Sequence, residues 1–224
     1  MNIKRLLELK DFFIDLELFL YTSKRFEKEV ENFKGEIERF IRRYRKKYTH
    51  CKLKKRVLDN YLSAIKDMDE DVILSHLHDA AKVLSSTSVH ASKVAHSRSD
   101  FRALFDDFER HHVRVLLDTI PDQVIPGAIL FVGQSDWQTS FEGDADDAPL
   151  RALMGFYTDW DPVSVANLCF THGYFARMGG VETSVKLSES CILNCFLLLP
   201  MAFFKGGAFV MPPQLSKLCQ LITD

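Results

Sequence analysis

The stretch RRYRKKYTHCKLKKR, residues 42–56, gathers the residue types best suited to binding anions. Nine of its fifteen residues are cationic: Arg42, Arg43, Arg45, Lys46, Lys47, Lys52, Lys54, Lys55 and Arg56. Guanidinium forks and ammonium groups bind phosphate backbones or anionic lipid headgroups, and interleaved tyrosines such as Tyr44 and Tyr48 add stacking surfaces. These nine side chains are the expected polyanion-binding residues. The LKKR segment can also form part of a nuclear-import signal. The plainer reading is a solvated helix end whose charges neutralise the acidic remainder of the chain.

Within the run, Arg45 and His50 are separated by four residues. That spacing on a helix of a bundle is similar to the active-site pair of the HEPN ribonuclease family, where the two side chains meet across a dimer and act on a phosphodiester. The resemblance implies an RNA-cleaving dimer with Arg45 and His50 at its centre. It covers two residues only, and Lys46 stands where that family often has a polar residue. A second resemblance is architectural. The segment 170–177 (FTHGYFAR), and more loosely 204–209 (FKGGAF), are similar to the groove motifs of the helical apoptosis regulators, which implies a groove for a partner helix.

Other reactive residue types are scattered. Cys169 and His172, and Cys191 and Cys195, are soft-ligand pairs of the kind that can complete a tetrahedral zinc set. They lie in apolar stretches, where cysteine serves as a small core residue, and the core reading is the one adopted. His76 with His78, and His111 with His112, point to different faces of a helix and read as surface histidines. Asp144, Asp146 and Asp147 form an acidic loop without the glycine and distal glutamate of a calcium loop. There is no glycine-rich phosphate loop and no nucleophile elbow. The sequence therefore gives an expectation of no cofactor, no metal and no catalytic residue set.

The elements that must position these residues follow from where the breakers fall. All seven prolines and nine of the ten glycines lie after position 120. Residues 1–120 are therefore expected to be long helices in a hairpin or bundle region, and 121–224 a globular region. Residues 3–21 place Ile3, Leu6, Leu7, Phe13, Ile14, Leu18 and Tyr21 on one stripe. Phe26, Val30, Phe33, Ile37, Phe40 and Tyr44 continue as a heptad-like seam. Helices are expected around Leu53–Met68 and Ile73–Leu84, then a loop or marginal helix over 85–99. A further helix capped by Asp100 carries Phe101, Leu104, Phe105, Phe108, Val115 and Leu116. Beyond Pro121, residues 128–132 (AILFV) read as a short strand or a helical turn. Helices are expected from Pro149 to Tyr157, from Asp161–Pro162 to Met178, and from Pro212–Pro213 onward.

The segment 191–204 (CILNCFLLLPMAFF) carries no charge and is apolar on every side, so it is expected as a central buried helix. At roughly 1.5 Å per residue it is too short to cross the ~30 Å hydrocarbon layer. The chain is thus expected to be predominantly all-α: a multi-helix bundle around helix 191–204, with at most one short strand pair.

Charge is uneven. Residues 1–60 carry 17 Lys/Arg against 10 Asp/Glu, a balance of +7, and residues 121–224 carry 5 against 11, a balance of −6. A basic front suits an anionic partner. Five cysteines, an odd number and most of them in apolar settings (Cys169, Cys191, Cys195 and Cys219), with no charged leader ahead of an apolar run, fit an intracellular protein, cytoplasmic or nuclear. The functional expectation is a non-enzymatic protein-interaction module, adaptor or regulatory, with a protein partner. The alternative is a nucleic-acid-binding helical protein, with acidic lipid as a further target of the basic run. Oligomeric state is left open.

Overall fold

The computed structural model describes residues 7–22, 33–48, 52–117, 126–180, 184–186, 192–204 and 207–223. The chain forms two compact units, Met1–Ser88 with Gln214–Asp224, and Val89–Pro213. The rise in proline and glycine content at 121 lies inside the second unit.

The described part of the first unit is helical. It contains α1 (Lys10–Thr22), α2 (Phe33–Lys47), α3 (Lys52–Ala64), most of α4 (Glu70–Ser92) and α8 (Pro213–Thr223). Apolar residues at helical spacing build its core. Phe12, Phe13, Leu16 and Leu20 of α1 are buried, as are Ile37, Ile41 and Tyr44 of α2 and Leu58 and Tyr61 of α3. Their rings meet edge to face: Phe12 packs on Tyr44 at 5.1 Å and Phe13 on Tyr61 at 5.5 Å. Glu36 in the first turn of α2 and Arg45, Lys46 and Lys47 in the last suit the helix dipole. Phe26 and Val30 of the expected seam lie outside the described residues.

The second unit contains a six-stranded mixed sheet, which overturns the predominantly all-α expectation. The strands are β1 (Arg114–Leu116), β2 (Ile129–Phe131), β3 (Gly155–Thr158), β4 (Tyr174–Met178), β5 (Val185–Lys186) and β6 (Ile192–Pro200). Their order is β1-β2-β3-β6-β4, with β5 also on β6. Only β1 and β2 run parallel; the other pairs are antiparallel. The helices here are α5 (Arg98–Arg110), α6 (Gln134–Thr139) and α7 (Pro162–Thr171). Phe101, Leu104, Phe105 and Phe108 of α5 share one buried cluster with Val165 and Cys169 of α7, Phe156 of β3 and Phe196 and Leu198 of β6.

The segment expected as the central helix is instead the central strand, β6. Its two faces join two different clusters. Phe196 and Leu198 enter the main core, whereas Leu193 packs with Ile129, Tyr157 and Val185. The second face of β6, with Cys195, Leu197 and Leu199, is apolar but only half-buried, so the sequence lacks the polar alternation of a strand with one wet face and looks like a helix apolar all round. The same ambiguity explains three smaller corrections. Residues 155–158, expected at the end of a helix, form β3. The helix from Asp161–Pro162 stops at Thr171, and 174–178 are β4. Val115 and Leu116, expected on a helix, belong to β1.

The expected cap at Asp161 is realised, whereas the expected cap at Asp100 moves three residues back, to Ser97. Asp161 Oδ2 accepts from the Ser164 N–H at 2.7 Å, with Pro162 in the first turn of α7. Ser97 is the cap residue of α5, and Asp100 reaches back to accept from its N–H at 2.9 Å, one arm of a capping box. Gly173, with φ +88°, ends the α7 turn where a side chain would be strained.

Candidate interaction surface

The basic run divides between two helices. Arg42, Arg43, Arg45, Lys46 and Lys47 occupy the last two turns of α2, and Lys52, Lys54, Lys55 and Arg56 the first turns of α3. His50 lies outside the described residues, so the Arg45–His50 pair has no geometry to weigh. Arg45 is already engaged: its Nη2 donates to Asp59 Oδ2 at 2.9 Å, tying α2 to α3. Its Nε is buried without a hydrogen-bond partner. Arg42 pairs with Glu38 one turn earlier, at 3.3 Å. Lys54 lies 4.0 Å from Glu8 and over the Tyr48 ring at 4.3 Å. Arg43, Lys46, Lys52, Lys55 and Arg56 are exposed and make no ion pair with the described residues.

A cleft of about 370 Å³ opens beside the run, between α1 and α2. It is lined by Asp15, Leu18, Phe19, Phe40, Arg43, Tyr44 and Lys47. Phe19 and Phe40 pack at 4.9 Å, and Phe40 stacks on Tyr44 at 5.9 Å, giving an aromatic floor. Lys47 sits over the Tyr44 ring at 5.2 Å. Burial pushes the Tyr44 phenol up, so it stays neutral. Leu18, expected to face inward, is 54% exposed at this cleft. The sequence stripe was broad enough to include it, but α1 turns its Phe12–Phe13 edge to the core instead. Phe19 was missed altogether. The available signal was that α1 carries more large apolar residues than one buried face can hold.

The other reactive residues do not assemble with this surface. Cys169 is fully buried, and burial pushes its thiol up. His172 Nε2 lies 3.0 Å from Asp107 Oδ2, and Cys195 lies on β6; Cys191 is outside the described residues. Among the described residues no three His, Cys, Asp or Glu side chains are grouped to hold a metal ion. His78 pairs with Glu17 at 2.8 Å, whereas burial holds the His76 imidazole below its usual range. His111 Nδ1 lies 2.8 Å from the Asp107 carbonyl. The acidic loop is anchored by cations on α5. Arg102 pairs with Asp146, and the buried Arg98 donates to the Gly143 carbonyl at 2.6 Å. The Arg98 guanidinium lies over Phe141 at 5.0 Å and Trp137 at 5.4 Å. Residues 170–177, similar in sequence to a groove motif, form the end of α7, a turn and β4, and so do not make a helical groove wall.

The chain matches no protein-family model, no curated protein and no solved structure. Among the described residues no helix is long and apolar enough to cross a membrane.

Proposed function

We propose that the chain is a non-enzymatic protein-interaction module whose first unit takes an acidic, leucine- or phenylalanine-bearing segment of a protein partner. The carrying observation is the cleft between α1 and α2. Its floor is aromatic, its rim bears Arg43 and Lys47, and Leu18 is exposed beside it. An apolar anchor side chain removes surface from water on Phe19, Phe40 and Leu18, at about 25 cal/mol per Å². Flanking carboxylates meet the rim cations and the exposed Lys46, which favours encounter and register more than raw affinity. Asp15 on the opposite rim disfavours a uniformly acidic ligand, so the apolar anchor is needed. The reading takes the protein to be intracellular, cytoplasmic or nuclear, where a thiol such as the buried Cys169 stays reduced.

Nucleic acid is the competing occupant of the same cations. A short labelled acidic peptide with leucine and phenylalanine at helical spacing, a polyglutamate of equal charge, and a short single-stranded RNA are compared by fluorescence anisotropy. The acidic–apolar peptide should bind best, and Leu18→Glu or the pair Arg43→Glu with Lys47→Glu should weaken it about tenfold or more, as anchor and rim residues of an interface do. All three positions are at least partly solvated, so folding should survive. If RNA binds more tightly, with a steep salt dependence, the nucleic-acid reading replaces this one. If polyglutamate binds as well as the mixed peptide, the cleft is not the site.

A further inference from the structure

Three histidines from two distant segments, His90 and His96 from one and His172 from the other, meet in the second unit around one glycine–tyrosine pair. His90 lies in the last turn of α4, His96 in the connection before α5, and His172 at the end of α7. A Cβ built on Gly173 would stand 2.8 Å from His90 Nδ1, so the imidazole lies directly against this backbone. The next residue, Tyr174, has its hydroxyl 2.9 Å from His96 Nδ1 and its ring 4.9 Å from the imidazole. His96 is 3% exposed and Tyr174 is fully buried. Among the described residues His96 Nε2 makes no close hydrogen bond.

The charges around the cluster are already matched. Asp100 is held by the Lys93 ammonium at 2.6 Å and the Ser97 N–H at 2.9 Å. Asp107 is held by His172 Nε2 at 3.0 Å and Arg110 Nη1 at 2.9 Å. Asp100 still faces His96, but with the Lys93 backbone it offsets only part of the cost of charging that imidazole. A protonated imidazole is a donor at both nitrogens. For His96 that means a charge in a buried site beside the Lys93 ammonium, and for His90 a charge beside Lys93 and His172.

We propose that His90 and His96 form an acid-released latch, which holds the connection 93–97 on the Gly173–Tyr174 turn near neutral pH and lets go as the pH falls below the ordinary histidine range. Burial first, and the Lys93 charge second, keep both imidazoles below their usual range in the folded protein. The sign follows. Acid protonates these histidines more readily in the unlatched state, so the latch is at full strength above about pH 6.5 and weakens below it, down to the folded values. Each histidine shifts the latch equilibrium by up to about tenfold per pH unit in that window. The connection carries other contacts with it. The His96 carbonyl accepts from the Leu150 N–H at 2.7 Å, and the Ala148 carbonyl accepts from the Arg98 N–H at 3.0 Å. Release of the latch therefore frees residues 148–150 together with the start of β4.

Native-state hydrogen exchange on the full chain tests this, with rates corrected for intrinsic pH dependence. Protection of the Leu150 and Arg98 amides should fall about tenfold or more between about pH 7.5 and about 5.5. Protection of the Leu198 amide, bonded to the Met154 carbonyl at 2.9 Å in the same unit, should hold. In the double variant His90→Gln with His96→Gln the pH dependence at Leu150 and Arg98 should disappear. An equal loss in that variant, or no loss in the native chain, overturns the latch. Should the double variant fail to fold, ring-proton NMR titration of the native chain decides: His90 and His96 must titrate below the unperturbed histidine range, and titration at or above it overturns the proposal.

Discussion

The strand assignment of residues 192–200 makes neighbouring leucines respond oppositely to the same substitution. Leu198 is 1% exposed and belongs to the main core, opposite Ala176 on β4. Truncating such a leucine to alanine removes about 2–5 kcal/mol. Aspartate adds the burial of a carboxylate with no cation in register, several kcal/mol more. The sum approaches or exceeds the ~5–15 kcal/mol that holds a domain together, so Leu198→Asp should not fold. Leu197 points to the other face and is half-buried. Its cross-strand neighbours are Gly155, with no side chain, and the exposed Arg177. Losing part of its burial costs about 1 kcal/mol, and a carboxylate opposite Arg177 recovers about 0.2–1 kcal/mol. Leu197→Asp should therefore remain folded, weakened by about 1 kcal/mol or less. Urea denaturation followed by far-ultraviolet circular dichroism gives the comparison directly. Equal damage at both positions would refute the alternation and return the segment to a helix buried all round.

Gly173→Ala should destabilise the second unit by more than the ~1–2 kcal/mol of a left-handed residue, because the added methyl also meets His90; the urea midpoint reads this. Arg98→Lys should not be conservative: it keeps the charge but loses the planar stacking over Phe141 and Trp137, an effect of about 1–2 kcal/mol, visible as faster proteolysis within residues 142–147. Asp107 is held below the ordinary carboxylate range, chiefly by His172 and then by Arg110. Its contribution is present above about pH 4 and lost as the pH falls through its folded value, so Asp107→Asn should flatten the acid limb of a stability–pH curve.

What was legible in the sequence depended on whether a signal was local. The Asp161–Pro162 start of α7 and the Phe101, Leu104, Phe105, Phe108 face of α5 are local, and both are present. Residues 85–92 continue α4 despite their serines, with Thr87 buried and its hydroxyl donating to the Val83 carbonyl at 2.7 Å. The sheet was not legible, because its identity lies in pairings between distant segments. Tyr157 faces Cys195 and Ala176 faces Leu198, and neither pairing leaves a period within one segment. The histidine cluster was hidden in the same way: His90, His96 and His172 share no spacing, and only the fold of α4, α7 and β4 brings them together.

The cations of the basic run, alike in sequence, are made unlike by the fold. Nine cations in fifteen residues read as equivalent in sequence. Folded, they differ by what α2 and α3 place beside them. Arg45 spends its guanidinium on Asp59, and Arg42 on Glu38. Lys54 is shared between Glu8 and the Tyr48 ring. Exposed pairs of this kind contribute little to stability, but a cation so engaged must break a contact before it meets a ligand. Lys47 and Arg43 differ again, since both stand at the edge of an aromatic cleft. A ligand that used charge alone would draw on Lys46, Lys52, Lys55 and Arg56, spread over two helices. One that also carried an apolar anchor would be drawn to Arg43 and Lys47, where charge and apolar surface coincide. That coincidence, rather than the total charge, is what supports the proposed protein segment over a uniform polyanion at this surface.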